Sequence, residues 1–282
     1  MNLIYSQDNL LVLKTLPSGS IDLIYIDPPF NTGKTQQRTQ IRVRRSLKDK
    51  GFRGAVTLRK GYKGYDYETV KTLGTRGYED QFGDEFLQFL EPRLREAHRV
   101  LAEHGTLYFH IDYREVHHCR LLLDRIFGSQ CFLNEIIWAY DYGGRAKTRW
   151  PAKHDNILVY SKNPKGYNFN GNGKAHPPDR DQLWRSMTAD IWWHTIVPTN
   201  GKERTGYPTQ KPLGILKPLV TASSKPGDLV LDFFAGSGTT GECCLQLGRR
   251  FILVDDNPQA QEVMRQRFSG ISCVEWHTII NP

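Results

Sequence analysis

The chain has 282 residues and a mass of 32.5 kDa, enough for one large domain with a substantial buried core. An apolar content of 39% and a mean hydropathy of −0.53 exclude a helical membrane protein, and no run approaches the roughly 18 uninterrupted apolar residues that a spanning helix needs. The net charge of +8 is unevenly placed: residues 34–63 hold eleven basic residues against the single acid Asp49, whereas the rest of the chain is close to balance with 27 basic and 29 acidic residues.

In chain order, DNLLVLKTL (8–16) has the apolar spacing of a helix, and IDLIYID (21–27) is a short, nearly continuous apolar run of the buried-strand type that stops at Pro28-Pro29. Residues 34–80 are polar, basic and glycine-rich, which predicts a long loop or an appended element. A helix is expected over 84–103, then a strand TLYFHID, a helix near 115–127, and strands NEIIWAYD and DNILVYSK. Residues 163–206 again read as irregular, with Trp184, Trp192 and Trp193 interspersed. The last portion alternates helix 213–223, strand DLVLDFF, a glycine loop, helix 239–247, strand RFILVDD and helix 258–268. Strands alternating with helices predict one α/β domain over 1–282, a doubly wound and mostly parallel sheet.

The N-terminus lacks a basic n-region and a small-residue cleavage site, so no signal peptide is expected. The five cysteines form no C-x-x-C pair and the nine histidines show no ligand spacing. Reduced thiols in the cytoplasm and no metal site are the expectation. The basic block has two readings, a solvated surface or a contact to polyanionic phosphate. Its glycines Gly51, Gly54, Gly61 and Gly64 break any basic amphipathic helix, which favours nucleic acid over a membrane surface.

Two motifs carry chemistry. Phe234-Ala235-Gly236-Ser237-Gly238-Thr239 follows a strand and opens a helix, and the next strand ends in Asp255-Asp256. Glycines admit a ligand to the backbone, the helix N-terminus offers unpaired N–H groups, and the later carboxylate can hold ribose hydroxyls. With Gly241 the loop also matches the dinucleotide fingerprint, so it leaves NAD and S-adenosylmethionine both open. Asp27-Pro28-Pro29-Phe30 lies at the C-terminal end of a strand, where α/β sheets place their sites. The prolines donate no hydrogen bond, which leaves the Asp27 carboxylate and the Pro28 carbonyl as acceptors beside an aromatic face. Such a group suits a flat, neutral ring bearing an exocyclic amine.

Asp27–Phe30 resembles the [D/N/S]-P-P-[Y/F] motif of amino-methyltransferases acting on nucleic acid bases, and the Phe234–Gly238 loop is similar to their F-x-G-x-G segment. The catalytic motif precedes the cofactor loop by about two hundred residues, as in the circularly permuted beta group of DNA amino-methyltransferases. DPPFNTG, YPTQKPL (207–213) and SQDN (6–9) extend the likeness to most of the chain outside 34–80 and 165–205. The resemblance implies S-adenosylmethionine as cofactor and double-stranded DNA as substrate, with a flipped-out adenine methylated at N6 by Asp27, Pro28, Pro29 and Phe30. It implies that Phe234, Ala235, Gly236, Ser237, Gly238 and Thr239 shape the cofactor pocket, with Asp255 (or Asp256) on the ribose, Asp8 near the adenosine and Lys211 near the methionine carboxylate. Asp8 has a competing role as a helix cap and Lys211 as plain surface. Cytosine-N4 transfer is the nearest alternative. An NAD-dependent oxidoreductase and a non-catalytic nucleic-acid-binding module are remoter ones, since neither explains DPPF. DNA contacts are expected from Arg42, Arg44, Arg45 and Lys48 in the basic insertion, and target recognition from 165–205. A homodimer and a restriction endonuclease on a separate chain complete the expectations. His154-Asp155, where the family often has His-Glu, is a lesser candidate for the target base, and His117-His118 reads as surface.

Overall fold

A computed structural model of the chain describes residues 2–33, 36–45, 58–60, 66–78, 80, 82–142, 146–170, 190–198 and 201–279. The elements are β1 Asn2–Tyr5, α1 Asn9–Thr15, β2 Ile21–Ile26, β3 Gln36–Arg45, β4 Leu58–Lys60, β5 Asp66–Tyr78, α2 Phe86–Val100, β6 Leu101–Asp112 and α3 Val116–Phe127. They continue with β7 Phe132–Ala139, β8 His154–Ser161, β9 Ile191–Trp193, α4 Leu213–Ser223, β10 Leu229–Asp232, α5 Thr239–Leu247, β11 Arg250–Val254, α6 Pro258–Arg267 and β12 Val274–His277. No helix among the described residues is long and apolar enough to cross a membrane.

Nine strands form one sheet in the order β12-β1-β11-β10-β2-β6-β8-β7-β9. Every strand runs the same way except β8, which is antiparallel to both neighbours. β2 sits at the centre and is buried on both faces: Ile24 and Ile26 pack with α1, α2 and α3, and Leu23 and Tyr25 with α4, α5 and α6. That explains its unbroken apolar run. α2 presents Phe86, Leu90, Leu94 and Ala97 at helical spacing to the first of these cores. α6 starts at a Pro258 N1 position, with the Asn257 side chain accepting from the Gln259 N–H at 2.9 Å.

The α/β elements fall within a few residues of their expected bounds. Of the two expectations for 34–80, an appended element is the one observed, and the long loop is not. β3, β5 and β4 form a separate three-stranded antiparallel sheet, with Thr39 opposite Thr75 and Arg44 opposite Glu68. Thr39, Ile41 and Val43 alternate with Arg38, Gln40, Arg42 and Arg44, a period of two obscured by the charge density. Residues 163–206 were expected to be irregular, yet they contribute β9 at the edge of the large sheet, where Trp138 pairs with Trp192. The short strands β1 and β12 had no distinct signal of their own. Residues 171–189 and 199–200 of the expected recognition segment, and Lys48, lie outside the described residues.

Candidate active site

Because β1, β11, β10, β2 and β6 are parallel, the segments leaving their C-terminal ends meet at one edge of the sheet. A cavity of about 590 Å³ opens there. Its walls come from Asp8 and Asn9 at the start of α1, Tyr25, Asp27 and Pro29 around the end of β2, Phe89 and Arg93 of α2, Phe234–Ser237 and Thr239 of the glycine loop, and Asp255–Pro258 after β11. Tyr207 and Lys211 close it from the YPTQKPL segment. Motifs two hundred residues apart thus share one cavity.

Asp27 is the hinge of the site. Its Oδ2 receives Lys211 Nζ in a buried ion pair, and the same ammonium lies 4.8 Å from the centre of the Phe30 ring. Lys211 therefore stands on the Asp27–Phe30 motif, rather than on the surface. The other oxygen, Asp27 Oδ1, is buried and has no hydrogen-bond partner. A buried carboxylate oxygen without a donor costs free energy, and a ligand N–H would relieve that cost. Pro28 and Phe30 are not among the residues that line the cavity; the Phe30 ring lies 5.9 Å from His110.

The backbone beyond Phe30 is held by Asn31, which DPPFNTG contains but to which sequence alone gives no role. Asn31 has φ +53°, a left-handed conformation that asparagine tolerates better than most residues. Its Oδ1 accepts from the N–H groups of Phe82 and Gly83, its Nδ2 donates to Gly83 O and Glu115, and its own N–H donates to Asp80 Oδ1 at 2.7 Å. The Asp27–Phe30 turn is thereby tied to the segment that leads into α2.

Behind the turn runs a buried polar chain. Tyr25 Oη lies 2.8 Å from His110 Nδ1, His110 Nε2 lies 3.2 Å from Asp155 Oδ2, and Tyr140 Oη donates to Asp155 Oδ1 at 2.9 Å. Burial alone would raise the Asp155 carboxyl, but hydrogen bonding and attraction to His110, with Lys211 and Tyr140 adding to it, hold it below the usual range. Of the pair His154-Asp155, the acid is the member in this network; His154 packs against Tyr113. His117 and His118 are exposed as expected.

On the other side of Asp27, Asp8 serves two purposes. Its Oδ1 caps α1 through the Leu10 and Leu11 N–H groups, and its Oδ2 pairs with Arg93 at 2.8 Å. Arg93 also bonds Asn9 Oδ1 and Phe89 O, and Asn9 donates to Phe233 O at 2.7 Å. Neither Arg93 nor Asn9 was a sequence candidate. Of the glycine loop, Phe234, Ala235, Gly236, Ser237 and Thr239 wall the cavity, whereas Gly238 stands behind them as the left-handed N-cap of α5. Asp255 accepts from Gly236 N at 2.7 Å and from Asn257 N at 2.9 Å, and the neighbouring Asp256 is exposed at the rim.

Asp232 was also missed. It is buried, accepting from Thr240 Oγ1 at 2.6 Å and Phe234 N at 3.0 Å. Burial pushes its carboxyl up to about 7 against those hydrogen bonds, with the charges of Asp27 and Asp255 adding to the rise. Burial likewise raises Asp255 to about 6. Both acids therefore bind protons more readily in the folded chain, so their contribution to stability is full below about pH 4 and falls as pH rises towards 7. Asp232→Asn keeps the hydrogen-bonding shape without the charge. Its melting temperature is expected to match the parent near pH 4 and to exceed it increasingly up to pH 8. Scanning calorimetry across that range checks this, and a difference independent of pH would contradict the buried charge.

The acid-rich wall at Asp27, Asp232, Asp255 and Asp256 suits a ligand with positive charge and hydroxyl groups. Arg93 and Lys211 supply donors for a carboxylate, and the loop at Gly236 admits a ligand close to backbone.

The chain matches the N6/N4 methyltransferase family, described as DNA methylase, over residues 21–266. It is 29% identical over 275 residues to the type II methyltransferase M.HpaI of Haemophilus parainfluenzae, covering 93% of this chain and 74% of that one. It is also 29% identical over 269 residues to the DNA adenine methyltransferase YhdJ of Escherichia coli K12, covering 89% and 77% respectively. Among solved structures, the M1.HpyAVI–SAM complex superposes with a TM-score of 0.60 at 19% identity, over 95% of this chain and 100% of that one. The cytosine-N4-specific PvuII DNA methyltransferase gives 0.65 at 17%, over 96% and 88%. At these identities the structural likeness bears on the fold.

Proposed function

The chain belongs to the N6/N4 DNA methylase family and is an S-adenosylmethionine-dependent DNA methyltransferase, and within that family we propose that it methylates the exocyclic N6 of adenine at a specific site. The observation that carries the reading is Asp27 Oδ1, buried and unpartnered in a residue that lines the cavity. An exocyclic amine offers two N–H donors, and Asp27 Oδ1 and the Pro28 carbonyl accept them. Bonded this way, the amine nitrogen is drawn towards tetrahedral geometry and its lone pair is less delocalised into the ring. The same acceptors stabilise the positive charge that develops on nitrogen. Lys211 holds Asp27 in place through Oδ2, and Phe30 gives the base a stacking face. When bound, S-adenosylmethionine supplies an electrophilic methyl group on sulfonium. The acids of the cavity suit its cationic and ribose parts, with Arg93 and Lys211 near its carboxylate. The chain's main contribution is to hold nucleophile and cofactor in line.

Asp at position 27 and the adenine-specific relative YhdJ favour adenine over cytosine. Single-molecule sequencing of plasmid DNA from a methylation-deficient host expressing the chain tests this directly. N6-methyladenine within one short motif is expected; N4-methylcytosine would move the assignment to the neighbouring activity, and unmodified DNA would remove both. A role in restriction–modification, with any endonuclease on a separate chain, accords with the type II relatives.

We assign phosphate contacts to Arg42, Arg44 and Arg45 of the basic sheet together with Lys48 of the same basic block, and target recognition to 165–205. Neutralising those four residues is expected to weaken binding to cognate and scrambled duplexes alike. It should also flatten the plot of log affinity against log salt by roughly 0.9 for every phosphate no longer neutralised. An unchanged slope would transfer the phosphate clamp elsewhere. One chain of this size embraces little of a duplex, and a homodimer is the proposed assembly; light scattering should return about 65 kDa, twice the chain mass.

A further inference from the structure

Strands β6, β7 and β8 continue past the catalytic edge. Ile26 at the end of β2 is level with Phe109, so Asp112 lies three residues beyond it, roughly 10 Å further along the strand direction. Asp112 pairs with Asp155, and Ala139 with His154, so the connection over 140–153 leaves the sheet at this raised level. Its base is closed by Tyr140 N to Lys153 O and by Lys153 Nζ to Tyr142 O, both 2.9 Å. β8 is two strands from β2, about 10 Å sideways, on the side away from the cofactor loops that follow β10 and β11. The two ends of the connection therefore leave the sheet on the same edge as Asp27, on the side away from the cofactor loops.

Its composition suits a duplex. Among its described residues, Lys147, Arg149 and Lys153 stand against the single acid Asp141. Trp150 is 95% exposed and Tyr142 68% exposed. An indole so exposed contributes almost nothing to the fold, and Pro151 fixes the backbone just after it. Aromatic side chains stack on bases without regard to sequence, and apolar side chains inserted between base steps hold a duplex open. We propose that Trp150 is the wedge that enters the base stack and fills the gap left by the extruded target base, while the flanking basic residues hold the phosphates on either side. The occupant of this surface is thus duplex DNA at the flipped nucleotide, an inference that rests on the base-methylation reading above.

The test uses the full chain and two duplexes carrying the motif found by sequencing. One has the target base paired; the other has it opposite an abasic site, where extrusion is easier. Trp150→Ala is expected to lower kcat/KM at least tenfold on the paired duplex, about 1.4 kcal/mol of barrier. On the abasic duplex the same variant should fall within about threefold of the parent, and Trp150→Phe should recover most activity on the paired one. Calorimetric binding of S-adenosylmethionine, unchanged in both variants, establishes that they are folded. Equal losses on the two duplexes, or no loss on either, would overturn the wedge. So would a Trp150→Ala chain whose only change is weaker self-association by light scattering, which would give the surface to a second copy. Failure of the methylation reading looks different: the parent chain itself would modify neither duplex.

Discussion

Asp27→Ala is expected to reduce methyl transfer by about a thousandfold, near 4 kcal/mol of barrier, with S-adenosylmethionine affinity changed only a few-fold. The size follows from what the carboxylate does: one preorganised partner of the developing charge is typically worth two to three orders of magnitude in rate. The part of the cavity proposed to hold the cofactor is lined mainly by the 232–258 segment, Asp8 and Arg93, which the substitution leaves alone. Asp27→Asn, which keeps an acceptor oxygen but loses the ion pair, should fall between parent and alanine. Removing the carboxylate also strands Lys211, whose side chain is only 12% exposed, and breaking a buried pair costs about 3–5 kcal/mol of stability. The double variant Asp27→Ala/Lys211→Met removes that stranded charge. It should recover thermal stability but no activity, which separates lost chemistry from lost fold. An Asp27→Ala chain that methylates DNA at the parental rate would end the catalytic assignment.

The legible parts of this chain are those whose signal is local. DPPF needs only four adjacent residues to announce a rigid acceptor turn at a strand end, and the glycine loop, α5 and β11 follow one another within 25 residues. Helices α5 and α6 fell close to their expected bounds because flanking glycines, an asparagine cap and a proline at N1 mark their ends, and α4 did so through its apolar spacing despite Pro218 inside it. What stayed hidden depends on partners far away in sequence. Lys211 reaches Asp27 across 184 positions, and Arg93 reaches Asp8 across 85. His110 acquires meaning only between Tyr25 and Asp155. Asp232 gave no sign of being unusual, because its raised proton affinity comes from burial beneath α5 and from two other acids. The basic sheet was concealed differently: in β3 the alternation of Thr39, Ile41 and Val43 is real, but eleven cations and scattered glycines outweighed it in a reading by composition.

Gly238→Val is expected to lower the melting temperature by roughly 5–15 °C, a loss of fold more than of cofactor affinity. Sequence alone gives Gly236 and Gly238 the same role, close approach of backbone to a ligand. The structure separates them. Gly238 has φ +74°, and a Cβ there would meet Met264 Cγ and Phe268 Cε2 at 2.9 Å, on the α6 side of the core. A left-handed conformation costs an L-residue about 1–2 kcal/mol and overpacking a further 1–3 kcal/mol, and each kcal/mol moves the midpoint of a domain this large by about 2–4 °C. Gly241 is similarly tight: its Cβ would lie 2.8 Å from Leu253 Cδ1. Gly236 is the one on the cavity wall, with φ +50° and a Cβ position 3.3 Å from Tyr207 Cε1. Gly236→Ala should therefore cost less stability and more cofactor affinity. Calorimetry with S-adenosylmethionine, run below both melting transitions, compares the two variants. A Gly238→Val chain with parental melting and selectively weakened cofactor binding would return this glycine to the ligand, and would mean that α6 yields to the added methyl groups where its packing against Met264 and Phe268 argues that it cannot.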